Sequence, residues 1–175
     1  LLSTQTASAS ASISFTTGLD STYDEYIFKY INVRGATDGA VFTFNLSTDS
    51  GSNYNVTKTT TFFQAYHAEN DSAAALTYDV NQDLAQSTSF QRIFISGNDA
   101  DQNGCGTLTL FNPSSTTYVK HFISVNSGIQ DNDYAINTYV AGYGNTTSAV
   151  DAIQFKMDSG NIADGIIKLY GVKKS

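Results

Sequence analysis

From Ile13 to Val172 the chain cycles between short runs of aromatic and β-branched residues and clusters of Gly, Asn, Asp, Ser and Pro. That rhythm leaves few folds open. The runs are too short for packed helices, and the clusters supply the backbone conformations that reverse a strand. Residues 26–33 put Tyr26, Phe28 and Tyr30 on one face of an extended segment, and residues 41–46 alternate as a strand with one wet face does. Residues 13–15, 54–66, 90–95, 107–111, 118–123, 135–143, 149–157 and 166–172 continue the series. The spacing predicts an all-β fold: a single-domain β-sandwich or jelly roll of about ten antiparallel strands. Residues 69–88 break the pattern and read as a long loop, with a helical turn over Ala73-Ala74-Ala75-Leu76. Residues 1–12, rich in Ser, Ala and Thr, have little to bury alone; they read as an N-terminal arm or an edge strand, and residues 13–175 as the sandwich domain.

Composition supports the same class. Charged residues make up 14% of the chain, against roughly a quarter in ordinary globular proteins. Ser, Thr, Asn and Gly take their place, and the first three compete with helical backbone hydrogen bonds. The net charge of −7, with 9 Lys and Arg scattered apart from the adjacent Lys173 and Lys174, argues against a nucleic-acid partner, which needs clustered cations to displace counterions. No segment approaches the roughly 20 apolar residues of a membrane span, and the first residues lack the basic and apolar regions of a signal peptide. Cys105 is the single cysteine, so no internal disulfide forms and folding in a reducing cytoplasm suits the chain. In Asn103-Gly104-Cys105-Gly106 it reads as a small, half-buried side chain with no base or cation to activate it.

No catalytic or cofactor motif emerges. There is no Gly-x-Ser-x-Gly elbow and no phosphate-binding loop ahead of a helix, and nothing marks a carboxylate pair flanking a sugar bond. The two histidines, His67 and His121, have no Cys or His at ligand spacing, although carboxylates follow His67 closely. Asp99 and Asp101, in Asp99-Ala100-Asp101-Gln102-Asn103-Gly104, are weak candidate calcium ligands; the bidentate Glu and flanking helices of a calcium loop are missing. Asp131 to Asp133 and Asp20 to Asp24 are weaker still. Four Asn-x-Ser/Thr matches, at Asn45, Asn55, Asn70 and Asn145, are what chance gives in so Asn-, Ser- and Thr-rich a chain. The side chains with most binding potential are Tyr66, Tyr78, Tyr134, Tyr139 and Tyr143, near expected strand ends, where aromatic rings stack on sugars or anchor interfaces.

One stretch carries a family resemblance. Residues 146–162 run as an alternating strand into a Ser159-Gly160-Asn161 turn and Ile162, and residues 166–172 close on Leu169-Tyr170-Gly171-Val172. This resembles a pattern in uncharacterised virion proteins of marine tailed phages, and residues 3–8, 14–15 and 110–122 are similar to the same group. The resemblance implies a jelly-roll domain displayed on a phage particle and supplies no catalytic residues. Two expectations follow. The first is a non-enzymatic structural protein on the virion exterior, made in the host cytoplasm. It would be a capsid decoration or an appendage or tail-fibre subunit, acting through contacts with other virion proteins and with its own copies, a trimer favoured. The second is a carbohydrate-binding, lectin-like adhesin that recognises a host surface glycan. No cofactor, nucleic acid or membrane enters either reading. Residues 1–12 are the expected attachment to the particle.

Overall fold

Alternation decides which side chains meet. In the computed structural model, which describes residues 1–173, Tyr26, Phe28 and Tyr30 turn to one side of an extended segment and are fully or almost fully buried. Lys174 lies outside the described residues. Their strand is one of twelve: β1 (Ser3–Ser10), β2 (Ile13–Phe15), β3 (Glu25–Gly35), β4 (Ala40–Ser47), β5 (Lys58–Ala68), β6 (Ala74–Tyr78), β7 (Gln91–Ser96), β8 (Gly104–Phe111), β9 (Lys120–Gln130), β10 (Tyr134–Gly144), β11 (Ala152–Met157) and β12 (Ile162–Val172). All pairings between these strands are antiparallel, and there is no helix among the described residues.

The strands form an eight-stranded sheet, β1-β12-β3-β8-β9-β10-β5-β6, and a four-stranded sheet, β2-β11-β4-β7. The pairings β1 with β12, β2 with β11, β3 with β8 and β4 with β7 describe one long hairpin folded across two sheets. That is the jelly-roll arrangement of eight strands in two Greek keys. The other four strands are two insertions, β5–β6 between β4 and β7, and β9–β10 between β8 and β11. The β9–β10 insertion joins the free edge of β8, β5–β6 adds to β10, and together they double the width of one sheet.

Between the sheets lies an aromatic core. The Phe155 ring has its centroid 5.5 to 6.4 Å from five others: Phe15 at 6.3 Å, Phe28 at 5.5 Å, Tyr30 at 5.5 Å, Phe42 at 5.6 Å and Phe44 at 6.4 Å. Gly160 takes φ +68° in the turn before β12, as a Ser-Gly-Asn turn requires. Gly171 leaves room for the Tyr23 ring, where a Cβ would stand 2.4 Å from a ring carbon.

Of the arm and the edge strand, residues 3–10 form the edge strand: β1 pairs with β12 from Ser3↔Leu169 to Ser10↔Ile162 at the rim of the chain's own sheet. Three expectations change. Strand β4 has no wet face, because residues outside the strands cover it: Asn45 Nδ2 donates to Tyr54 O at 2.7 Å and Thr88 O at 2.8 Å. Residues 74–78 form β6 rather than a helical turn; ladder hydrogen bonds to the free edge of β5 outweigh alanine's helix propensity in a segment too short to nucleate a helix. Cys105 is exposed rather than half-buried, on the outer face of β8, and its Sγ accepts from Asn32 N at 3.3 Å.

Candidate interaction surface

The insertions create a broad outer face on the large sheet. Inward residues of β9, β10 and β5 include Phe122, Ser124, Asn126, Ile136, Thr138, Val140, Thr60 and Phe62, all buried. By alternation their neighbours point outward. The register then lines Thr107, Val125, Tyr139, Phe63 and Tyr78 in one row across five strands. The adjoining row carries Thr109, Ile123, Ala141 and Thr61. Phe63 and Tyr139 stack with centroids 4.9 Å apart and planes 3° from parallel.

No outward position of β8, β9, β10, β5 or β6 holds Asp, Glu, Lys or Arg. In a chain of net charge −7 this face is an uncharged window. It is also greasy: Ile123 is 49% exposed, Leu76 74% and Tyr78 52%. Strands β9, β10 and β5 have eleven residues each, β8 eight and β6 five; at about 3.3 Å per residue and about 4.8 Å per strand the face covers on the order of 700 Å². At one end a hollow of about 500 Å³ is lined by Thr59, Thr61, Phe111, His121, Ile123 and Tyr143 among others.

A polar seam beneath the face fixes its register. Asn126 Nδ2 donates to Thr138 Oγ1 at 3.1 Å, and Thr138 Oγ1 donates to Ile93 O at 2.8 Å. This ties β9 and β10 to β7 of the small sheet. A satisfied buried network of this kind specifies one arrangement more sharply than apolar contact does. Lys120, also buried, donates from Nζ to Tyr118 O at 2.5 Å and Thr146 O at 3.3 Å, and burial lowers its pKa.

The five tyrosines divide between two faces. Tyr78, Tyr139 and Tyr143 lie on the outer face, with the Tyr143 ring 6.1 Å from that of His121. Tyr66 and Tyr134 stack 5.6 Å apart on the inner side, half-buried against the core. Asp99 and Asp101 sit in the 97–103 turn, where their main-chain carbonyls accept from Gln102 N and Asn103 N, each at 3.1 Å. Among the described residues no three His, Cys, Asp or Glu side chains are grouped to hold a metal ion. His67 Nε2 lies 3.2 Å from Asp71 Oδ1, with both side chains exposed. Sequence reasoning missed Phe63, Ile123 and Val125, although the alternation that exposes the last two was readable in residues 120–130.

No protein-family model matches the chain, and no curated protein is significantly similar to it in sequence. No helix among the described residues is long and apolar enough to cross a membrane.

Proposed function

We propose that the chain is a non-enzymatic structural subunit on the exterior of a phage particle, a capsid decoration or an appendage or fibre subunit, and that the uncharged outer face seats a second copy of the same chain. The single observation carrying this reading is that face: exposed aromatic and aliphatic side chains among small polar ones, with no Asp, Glu, Lys or Arg across five strands. Its size is close to the roughly 800 Å² per partner of a specific interface, and grouped exposed apolar side chains such as Phe63, Leu76, Tyr78, Ile123, Val125 and Tyr139 mark interaction sites. Two chains of net charge −7 repel each other, and this face lets them meet without opposing carboxylates. The jelly roll and the resemblance to tailed-phage virion proteins supply the setting.

Face against face closes a two-fold pair; face against another patch of the next copy closes a ring, the trimer among them. Sedimentation equilibrium of the isolated chain tests the reading. A defined dimer or trimer at micromolar concentration supports it, and a monomer throughout contradicts it. One observation favours a second reading, glycan binding: the hollow has aromatic walls in Phe111 and Tyr143, and sugars stack on such rings. A glycan screen in which Tyr143→Ala abolishes a hit would favour it.

A further inference from the structure

Asn45 of β4 and Lys58 of β5 meet in the interior, and both are fully buried. The Lys58 Nζ donates to Asn45 Oδ1 and, at 2.8 Å, to Val56 O. Asn45 Oδ1 also accepts Leu46 N–H at 2.8 Å, while its Nδ2 donates to Tyr54 O and Thr88 O. Every polar atom of the amide is therefore pinned. No carboxylate pairs with the lysine among the described residues.

We infer that Lys58 and Asn45 join in an intramolecular amide bond, made by attack of the lysine nitrogen on the asparagine side-chain carbonyl. The geometry supplies what the step needs. The hydrogen bond to Oδ1 holds Nζ next to Cγ, so the reacting groups are already collected. The Leu46 N–H on Oδ1 polarises the carbonyl and steadies the oxyanion that forms. Two acceptors, Asn45 Oδ1 and Val56 O, match the two N–H groups of an uncharged amine and leave its lone pair unengaged, so that rotation about Cε–Nζ, releasing the Oδ1 bond, turns the lone pair onto Cγ. Burial agrees, pushing the Lys58 pKa down to about 7, so a large share of the amine is unprotonated near neutrality.

The balance is simple. The Nζ–Cγ bond forms, the Cγ–Nδ2 bond breaks, one Nζ proton moves to Nδ2, and ammonia leaves. No oxidant or further reactant enters. The carbonyls of Tyr54 and Thr88, which already accept from Nδ2, stay in place to receive the departing nitrogen. The product staples the end of β4 to the start of β5, closing the loop that leads into the first insertion and fixing the extended sheet to the jelly roll proper.

Mass spectrometry on the purified, denatured wild-type chain tests this. The expected result is an intact mass lower than the sequence mass by one ammonia. Trypsin then fails to cut after Lys58, and a joined peptide 35–92 fragments as a 45-to-58 link. Lys58→Arg restores cleavage and full mass. An intact mass equal to the sequence mass, after incubation at mildly alkaline pH, overturns the inference. So does an ammonia loss that persists in Lys58→Met, which would place it at another asparagine. The wild-type measurement needs no variant to fold.

Discussion

Val125→Glu is the sharpest perturbation of the outer face. Val125 stands mid-row between Thr107 and Tyr139 and is 36% exposed. In the monomer the carboxylate projects into water, and the cost is the loss of strand propensity, within about 1 kcal/mol. Between two copies the same carboxylate loses its water against apolar side chains, with no cation at any outward position of the five strands to pair with it. An unpaired buried charge costs on the order of 3 kcal/mol even after relaxation. At about 1.4 kcal/mol per tenfold, association weakens about a hundredfold or more. Sedimentation equilibrium reads the constant, and a urea melt checks that the variant folds like the wild type. Ser159→Glu, which adds the same single charge in the exposed turn before β12, serves as the control and leaves association within a few-fold. A folded Val125→Glu chain that associates as tightly as wild type would refute the reasoning, because the face would then not be in the contact.

Three other outcomes follow from the packing. Phe155→Ala removes a ring touching five others and is expected to cost about 4 to 5 kcal/mol of stability, the upper part of the Phe→Ala range; a denaturant midpoint shift equivalent to less than 2 kcal/mol would contradict the central placement of that ring. Thr138→Val leaves Ile93 O without its side-chain donor and Asn126 Nδ2 without its acceptor, a loss of about 1 to 3 kcal/mol, with faster amide exchange in β7 and β10 as the readout. Asn45→Leu leaves Lys58 a free amine. Its folded pKa of about 7 lies below the ordinary 10.5, so the folded state binds fewer protons and stability rises with pH across that window, by up to about 1.4 kcal/mol per unit. Melts of this variant against Asn45→Leu with Lys58→Met, taken from pH 7 to 9, isolate the slope; parallel curves would show that Lys58 is not held neutral by burial.

The sequence reveals the fold through residues whose alternation matches their surroundings. Tyr26, Phe28 and Tyr30 share a face because the core lies on one side of β3, and the turn clusters fall between strands because their residues suit those backbones. It misleads where distant segments supply the environment. The polar side chains of β4 suggest water, yet Tyr54 O and Thr88 O, from segments outside the strands, give Asn45 its partners, and Lys156 O accepts from Thr43 Oγ1. The alanines of β6 suggest a helix, yet an unpaired edge of β5 captures them. The tyrosines illustrate the same limit. Tyr139 and Tyr66 look alike in sequence, but one lies at an odd and one at an even place in paired strands, so one meets solvent and the other the core. The Asn45–Lys58 meeting was illegible: nothing in an isolated Asn-Leu-Ser or Thr-Lys-Thr announces that the two side chains share a dry interior.

Imaging of intact particles at a resolution that traces this chain tests the central claim most directly. The predicted result is the outer face of β8, β9, β10, β5 and β6 closed against a neighbouring copy, with Ile123, Val125 and Tyr139 inside the contact. A traced chain whose face looks into solvent, with its contacts made elsewhere, would contradict it.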